Sequence, residues 1–344
     1  MGDALGLPCE GLSRQRQARL FPALTGHALL PFGKGMCSDD TEHTCMLAQS
    51  LIETAHHRAS DEFGRRLASN FAWRLRFWLL GLPAGIGLAT LRAILKLWIG
   101  FPARWSGVYS AGNAPAMRIT LIGVCYGEDA ELLRSLVRAL TRVTHTDRKA
   151  EYGALAIALA GHFAATRTGP VAPDEYLDRL SELCGGEAEF MTLMRSVAAS
   201  VNRGESAESF AASIGCGAGV TGYVYHTVPA ALHVWLRRSD DYREALIETV
   251  RLGGDTDTVG AIVGALVGAR TGKEGIPAEW LRNLWEWPRT PAWMEQVGVR
   301  LAEQCNRPIN RSALPMSWLK LLVRNALFLP LVLAHGFRRL LPPY

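Results

Sequence analysis

The sequence predicts an all-α protein with a compact single-domain helical fold. In 131–143, the apolar residues recur at the spacing that places them on one face of a helix, and 242–250 repeats this pattern before Gly253. Runs that alternate apolar and polar residues, as strands do, are scarce. With 49% hydrophobic and 20% charged residues, the chain has enough apolar surface for a core, which excludes global disorder.

Helical periodicity recurs along most of the chain. Glycine or proline stands in most of the gaps between periodic segments, as at Gly81, Pro102 and Gly169. In chain order, the predicted helices lie near 41–57, 62–79, 88–99, 131–143, 151–166, 174–183, 187–202, 228–238, 242–250, 258–270 and 291–304.

Charge and cysteine content narrow the function classes. Lys and Arg number 37 and Asp and Glu 32, a net charge of +5 that favours phosphate-bearing ligands only weakly. No zinc-finger, helix-turn-helix or RNP pattern is present, which argues against nucleic-acid binding. The seven cysteines form no CxxC pair, and an odd, scattered set predicts reduced thiols in a cytoplasmic protein. The N-terminal residues also lack the pattern of a signal peptide.

Two uncharged stretches invite a membrane interpretation. Residues 77–91 are interrupted by Pro83 and several glycines and are shorter than the roughly 20 residues that a span needs. Residues 209–236 consist mostly of small residues, which suit a tightly packed interior. We therefore expect both stretches to be buried core and the chain to have no transmembrane segment.

The C-terminal residues differ in composition from the rest. We divide the chain into a helical domain over 1–305 and an apolar, basic extension over 306–344, in which Pro330 should kink any continuous helix. The favoured interpretation is a helix packed on the body of the protein. The alternative is a helix with basic flanks that docks on a membrane surface or a partner.

Two acidic segments stand out, Ser38-Asp39-Asp40-Thr41-Glu42 and Gly253-Gly254-Asp255-Thr256-Asp257-Thr258. Each precedes a predicted helix, so each is explained singly by helix capping. Together they offer four aspartates, and two unit charges 4 Å apart repel by about 4 kcal/mol at an effective dielectric of 20. If the fold brings them together, the cluster needs protons or cations. Oxygen ligands without paired His or Cys select Mg²⁺, Mn²⁺ or Ca²⁺.

The helix after the second segment carries small residues at a fixed spacing. Gly260, Gly264 and Gly268 recur every four residues, beside Ala261, Ala265 and Ala269. Such a ridge lets another helix approach closely. We therefore expect it to hold the 255–258 turn rigidly in the interior.

These motifs and their order resemble the ADP-ribosylglycohydrolase family. The resemblance covers residue 1 to about 305. Its motifs are Gly2-Asp3-Ala4-Leu5-Gly6 with Glu10, Ser38-Asp39-Asp40-Thr41, Ser110-Ala111-Gly112-Asn113 running on to Met117-Arg118, Thr144-His145, and the Gly253–Thr258 segment.

The resemblance implies an all-α fold that holds two Mg²⁺ or Mn²⁺ ions. The implied metal ligands are Ser38, Asp39, Asp40, Asp255, Asp257 and Thr258. The family's ribose hydroxyls bind the metal pair, and water attacks the anomeric carbon. By the same resemblance Glu10, Asp39 and Asp257 are catalytic, and Gly112, Asn113 and His145 contact the diphosphate and distal ribose.

We therefore expect a metal-dependent hydrolase that cleaves the ribose C1″ bond of an ADP-ribosylated protein or small molecule. Arginine is the favoured acceptor, because bacterial members with this motif spelling tend to be arginine-type, and ADP-ribose is the product. The alternative is an immunity or interaction protein of the same fold that binds and blocks an ADP-ribosylating toxin. Intact positions for all six ligands argue against a degenerate site.

Overall fold

The computed structural model describes residues 1–185 and 187–338, and over these residues it confirms the all-α prediction. Isolated β-bridges occur there, but no strand. The α-helices are α1 Gly2–Gly6, α2 Arg14–Leu20, α3 Asp39–Thr54, α4 Phe63–Leu80, α5 Leu88–Trp98, α6 Ala103–Ser106, α7 Ala114–Arg118, α8 Thr120–Tyr126, α9 Ala130–Thr141, α10 Arg148–Thr166, α11 Pro173–Cys184, α12 Ala188–Asn202, α13 Ala207–Ser213, α14 Val224–Arg237, α15 Tyr242–Arg251, α16 Thr256–Thr271, α17 Ala278–Asn283, α18 Pro291–Asn306 and α19 Trp318–Arg338.

The predicted helices are all present, and side-chain caps explain several of their starts. The Asp129 carboxylate accepts hydrogen bonds from the backbone N–H groups of Glu131 and Leu132 and so begins α9. Asp241 caps α15 in the same way. The helices that the sequence did not reveal have seven residues or fewer, as α1, α7 and α13 do, and are too short to show a period. Short 3₁₀ helices cover Leu7–Cys9, Pro31–Gly33, Ala55–His57 and Lys273–Gly275.

The centre of the protein is formed by α10, α14 and α16, which pack against one another. Small residues let α10 come close to its neighbours, and α14 is buried along nearly its whole length. The expectation that 209–236 belongs to the interior is thereby confirmed for α14.

The glycine ridge of α16 receives α1. A Cβ atom on Gly2 would lie 1.8 Å from the backbone oxygen of Gly260, and one on Gly6 would lie 2.2 Å from that of Thr256. Only glycine permits this approach. The ridge therefore docks the N-terminal segment, with Asp3, against the start of α16.

The expectation that 77–91 is buried core is wrong. Phe77, Leu80, Leu82 and Leu88 are exposed by 43% to 61%. The uncharged stretch contains the end of α4, a loop and the start of α5, and only one side of these helices faces the core.

The C-terminal extension folds as the long helix α19. The helix continues through Pro330; the kink expected there stays a prediction. One side of α19 packs on the body through Arg324, Asn325 and Phe328, which are at most 2% exposed. Among the described residues, one helix is long and apolar enough to cross a bilayer, Trp318–Phe337, and 17% of that segment is buried. The absence of a transmembrane segment and the domain division at residue 305 stay predictions, and residues 339–344 lie outside the described chain.

One cysteine pair departs from the expected reduced state. Cys125 in α8 and Cys305 in α18 form a disulfide across 180 residues, with their Cα atoms 5.6 Å apart. Sequence spacing could not reveal it, because helix packing alone brings the two positions together. Cys9, Cys37, Cys45, Cys184 and Cys216 are free and buried.

Candidate active site

A cleft of about 600 Å³ opens where the N-terminal ends of α3 and α16 meet the loop after the first 3₁₀ helix. Asp40 lies beneath its wall: it is 1% exposed and accepts a hydrogen bond from the Thr258 hydroxyl, 3.3 Å away. The structure thus brings together two acidic segments that are 218 positions apart at this contact. The predicted residues that line the cleft are Glu10, Ser38, Asp39, Asn113, Asp255, Asp257 and Thr258.

The start of α3 is held in place by Asp3. Its carboxylate accepts hydrogen bonds from the backbone N–H of Ser38 (2.9 and 3.0 Å), from the N–H of Thr41 (3.2 Å) and from the Thr41 hydroxyl. Ser38 is the N-cap, and its hydroxyl also donates to Asp40 Oδ2 at 3.1 Å. Capping therefore explains Ser38 but leaves Asp39 and Asp40 for another use.

The start of α16 depends on a double-glycine turn. Gly253 and Gly254 have φ values of +69° and +77°, in the left-handed region that favours glycine. Backbone bridges join Gly254 to Leu12 on one side and to Val220 on the other. A Cβ atom on Gly254 would lie 1.9 Å from the backbone oxygen of Val220. The turn that carries Asp255 is therefore clamped between two segments.

Burial and mutual repulsion dominate the electrostatics of the cleft. Burial, with the nearby charges of Asp39 and Asp3, raises the pKa of Asp40 well above its ordinary value. Burial, with Glu10 and Asp255, raises the pKa of Asp257 in the same way. The pKa of Asp39 is also raised by burial and neighbouring carboxylates.

Asn113 connects the glycine-asparagine loop to the second acidic segment. Its Nδ2 donates to Asp255 Oδ2 at 2.6 Å and to Thr227 Oγ1 at 2.9 Å. Its backbone N–H donates to the carbonyl of Gly222 at 3.1 Å. The side chain of Asn113 therefore holds one of the cleft carboxylates in a fixed orientation.

His145 lies behind the glycine-asparagine loop and not in the cleft lining. It is 2% exposed, and a Cβ atom on Gly112 would lie 2.9 Å from its Nε2, so the imidazole packs directly against that glycine. Burial, with the positive charge of Arg118, lowers the pKa of His145 to about 3. A neutral His145 thus supports Gly112 from below; contact of either residue with substrate stays a prediction.

The comparisons with known proteins agree with this geometry. The family model described as ADP-ribosylglycohydrolase matches residues 1–311. This chain belongs to the ADP-ribosylglycohydrolase family. An uncharacterized protein of Archaeoglobus fulgidus is 30% identical over 88% of this chain and 93% of its own length. The ADP-ribosyl-[dinitrogen reductase] glycohydrolase of Rhodospirillum rubrum is 27% identical, over 83% of this chain and 86% of its own.

More distant relatives and a solved structure point the same way. The ADP-ribosylhydrolase ARH3 of Homo sapiens is 26% identical over 72% of this chain and 74% of its own. A solved structure described as an ADP-ribosylglycohydrolase-related protein complex has a TM-score of 0.63 and 28% identity, covering 90% of this chain and 94% of that chain. The family and fold predictions are confirmed. The chain is a glycosyl hydrolase of ADP-ribosylated substrates, with ADP-ribose as its product.

The acid cluster of this glycohydrolase fits divalent cations. Within residues 1–185 and 187–338, Asp40 Oδ1 and Asp257 Oδ1 are buried without a hydrogen-bond partner, and no Lys or Arg forms an ion pair with Asp39, Asp40, Asp255 or Asp257. Over the same residues, no group of three or more His, Cys, Asp or Glu side chains is arranged so that it could hold a metal ion. Unpaired carboxylate oxygens are nevertheless the donors that Mg²⁺ and Mn²⁺ prefer.

Several residues that shape the glycohydrolase site were not predicted from the sequence. Asp3 positions α3, and its only signal is the resemblance of the opening segment. Thr227 supports Asn113 from α14, with no motif of its own. Arg118 is 1% exposed and donates to the Ala114 carbonyl (2.9 Å) and the Thr144 hydroxyl (2.8 Å), which ties together the loops on either side of His145. Burial lowers the pKa of Arg118 to about 9.

Glu42, the last residue of the first acidic segment, belongs to a different cluster. Its carboxylate pairs with Arg289 Nη1 at 2.6 Å and Arg324 Nη1 at 3.5 Å and accepts a hydrogen bond from the Trp78 indole. Arg324 also pairs with Glu286 at 2.7 Å. Burial opposes ionisation of Glu42, but Arg289 and Arg324 hold its pKa below the ordinary value. Glu42 is therefore a structural acid and not part of the cleft.

Proposed function

We propose that this glycohydrolase removes ADP-ribose from ADP-ribosylated arginine side chains, with two divalent cations, Mg²⁺ or Mn²⁺, in the cleft. The observation that carries the proposal is the pair of buried, unpartnered oxygens on Asp40 and Asp257 at the meeting point of the two acidic segments. A protein interior does not retain such groups for stability, because unpaired buried charge is strongly destabilising.

The ligand set supports two cations. Adjacent residues on a helix point about 100° apart, so Asp39 and Asp40 face different centres; Asp255 and Asp257 form a second divergent pair. Four aspartates balance the charge of two divalent ions. The residues that would hold the ions are Ser38, Asp39, Asp40, Asp255, Asp257 and Thr258, and bound ions would supply Lewis acidity toward the ribose hydroxyls.

The chain's own residues supply the proton transfer and the orientation. Glu10 lines the same cleft as Asp39 and Asp257. From there Glu10 would accept a proton from the attacking water. Water adds to C1″, the C1″–N bond breaks, and its electron pair leaves with the guanidino nitrogen, which takes up the proton. By the family resemblance, Gly112 and Asn113 would contact the diphosphate and the distal ribose.

One feature supports arginine as the acceptor. The motif spelling Gly253–Thr258 resembles that of the arginine-type bacterial members.

The test is release of free ADP-ribose from two matched peptides, one ADP-ribosylated on arginine and one on serine, with Mg²⁺, with Mn²⁺ and with a chelator. We expect metal-dependent release from the arginine peptide. Release from the serine peptide alone would overturn the acceptor and keep the hydrolase. Equal release with and without the chelator would overturn the metal site, and no release from either peptide would overturn the whole proposal.

A further inference from the structure

The side of α19 that faces the body buries charged and polar residues beside Phe328. Arg324 pairs with Glu286 and donates to the Cys37 carbonyl at 2.5 Å, and Asn325 donates to the Gly81 carbonyl at 2.8 Å. Surface helices of soluble proteins keep such residues on the solvent side. Here they fasten the helix to the body.

The outward side of α19 is apolar. Leu319, Val323, Leu327, Leu333 and Phe337 are exposed by 46% to 65%. They follow one another at intervals of four to six positions along a helix that has one packed side, so they form a continuous stripe. Ordinary protein surfaces expose apolar residues singly, whereas these apolar residues form one contiguous patch.

The stripe continues onto α4 and α5. A cavity of about 670 Å³ between α4 and α19 is lined by Trp73 and Phe77 on one side and Trp318 on the other. The ring of Phe77 contacts that of Trp73, at 5.2 Å between centroids, and that of Trp98 on α5, at 6.4 Å. We call the exposed side chains of α4, α5 and α19 the apolar face.

The charge of the segments that form the apolar face is one-sided. Residues 63–127 and 304–344 contain no Asp or Glu, although the chain has 32 of them, and they contain 14 of its 37 Lys and Arg. The remainder of the chain is therefore net negative. Two of the 14 are buried, Arg118 and Arg324, and four pair with acids outside these segments, Arg65, Arg66, Arg74 and Arg311. Arg92, Arg104 and Lys320 are exposed beside the apolar residues. Basic residues interspersed with exposed apolar ones complement the anionic headgroups and the acyl chains of a lipid bilayer.

Aromatic residues at the edge of the face suit the boundary between headgroups and acyl chains. Trp98 and Trp105 are exposed by 44% and 59%, and the Arg104 guanidinium lies 4.2 Å from the ring centroid of Trp105. Amphipathic indole rings are enriched at the membrane interface, beside cationic side chains.

We propose that the apolar face docks on the surface of an anionic lipid bilayer, with α19 lying in the interface and not across the bilayer. The catalytic cleft then opens beside the membrane, because Phe328 and Val332 of α19 and Gly85 of the α4–α5 loop form part of its wall. The lipid site does not depend on the hydrolase reaction and involves residues outside the catalytic set.

The test is flotation of the full chain with vesicles of phosphatidylcholine alone and of phosphatidylcholine mixed with phosphatidylglycerol. The apolar variant is Leu319→Gln/Leu327→Gln/Leu333→Gln, and the charge variant is Arg92→Glu/Arg104→Glu/Lys320→Glu. The matched control, Trp285→Gln/Val299→Gln/Ile309→Gln, removes exposed apolar residues elsewhere. We expect the chain and the control to float with anionic vesicles. Each test variant should bind at least about a hundredfold more weakly, with unchanged circular dichroism.

Several results would overturn the proposal. One is that the chain remains unbound with both vesicle types. Another is equal binding to neutral and anionic vesicles, or equal binding by the charge variant. A third is that the chain is a dimer in lipid-free solution and that the apolar variant is a monomer. The apolar face would then be covered by a second copy of the chain and not by lipid. Resistance of the bound chain to alkaline carbonate would contradict interfacial docking in favour of a spanning helix.

Discussion

Two acidic clusters lie side by side in this glycohydrolase, and the first turns of α3 contribute to both. Glu42 and Glu286 are buried together with Arg289 and Arg324, so each carboxylate has a cationic partner. Asp40, only two positions before Glu42, is buried with other carboxylates and has one oxygen without a partner among the described residues.

The difference separates an acid that stabilises the fold from one that serves the reaction. Arginines lower the pKa of Glu42, whereas burial and neighbouring carboxylates raise the pKa values of Asp40 and Asp257. The first cluster is complete within the chain. The second requires protons or added cations, and this requirement is what the following predictions test.

The largest effect is expected for Asp257→Asn. The loss of a metal-binding carboxylate should lower hydrolase activity by about a thousandfold, since a catalytic ion supplies several kcal/mol and each 1.36 kcal/mol is tenfold in rate. In metal-free protein the same change should raise the melting temperature, because it removes an unpaired buried charge. Asp240→Asn, which changes an exposed aspartate paired with Arg270, is the control. A lower metal-free melting temperature for Asp257→Asn would contradict the comparison.

Glu42→Gln should have the opposite effect on stability. It leaves Arg289 buried without its counter-ion, which should cost about 3–5 kcal/mol of the free energy of unfolding, with or without Mn²⁺. Glu53→Gln is the control: its pair with Arg74 is half-exposed, and such pairs contribute about 0–1 kcal/mol. Urea unfolding measures both. A cost for Glu42→Gln no greater than that of the control would place Glu42 among ordinary surface acids.

Asn113→Ala should have a smaller effect, on activity and metal affinity. The change frees Asp255 from its 2.6 Å hydrogen bond, and loss of a residue that orients a ligand typically costs about 10–100-fold. Asn70→Ala removes an equivalent amide from Glu53, outside the cleft, and should leave both quantities unchanged. Wild-type metal affinity in Asn113→Ala would show that Asp255 needs no orientation.

The smallest effect is on the pH dependence of metal-free stability. The native pKa values of Asp40 and Asp257 lie above the ordinary value of 3.8, so the native state binds more protons than the unfolded state above that pH. The free energy of unfolding should therefore fall as the pH rises from about 5 to about 8, and Mn²⁺ should remove the decline. The lowered pKa of Glu42 acts in the other direction: its contribution is fully present above the ordinary value of 4.5 and is lost as the pH falls from there through the lowered native pKa. A flat or rising metal-free curve above pH about 5 would contradict raised pKa values in the cleft.

Periodicity was sufficient for the long helices, because 10 or more residues with one apolar face specify both a helix and its orientation. It could not find α1 or α7, which have five residues each. The acidic segments predicted protons or cations only if the fold brought them together, and the two-cation site was implied by the family resemblance. Asp3, Thr227 and Arg118 were missed because their roles depend on contacts between distant segments, and the exposure of Phe77 and Leu327 depends on which side of each helix the core covers.

The most direct test of the central claim is calorimetric titration of chelator-treated protein with Mn²⁺ near neutral pH. We expect two Mn²⁺ ions per chain, with binding lost or reduced to one ion in Asp257→Asn and unchanged in Asp240→Asn. Folded, chelator-treated protein that binds no Mn²⁺ would contradict the account, because Asp40 and Asp257 would then remain buried with no cation to balance them.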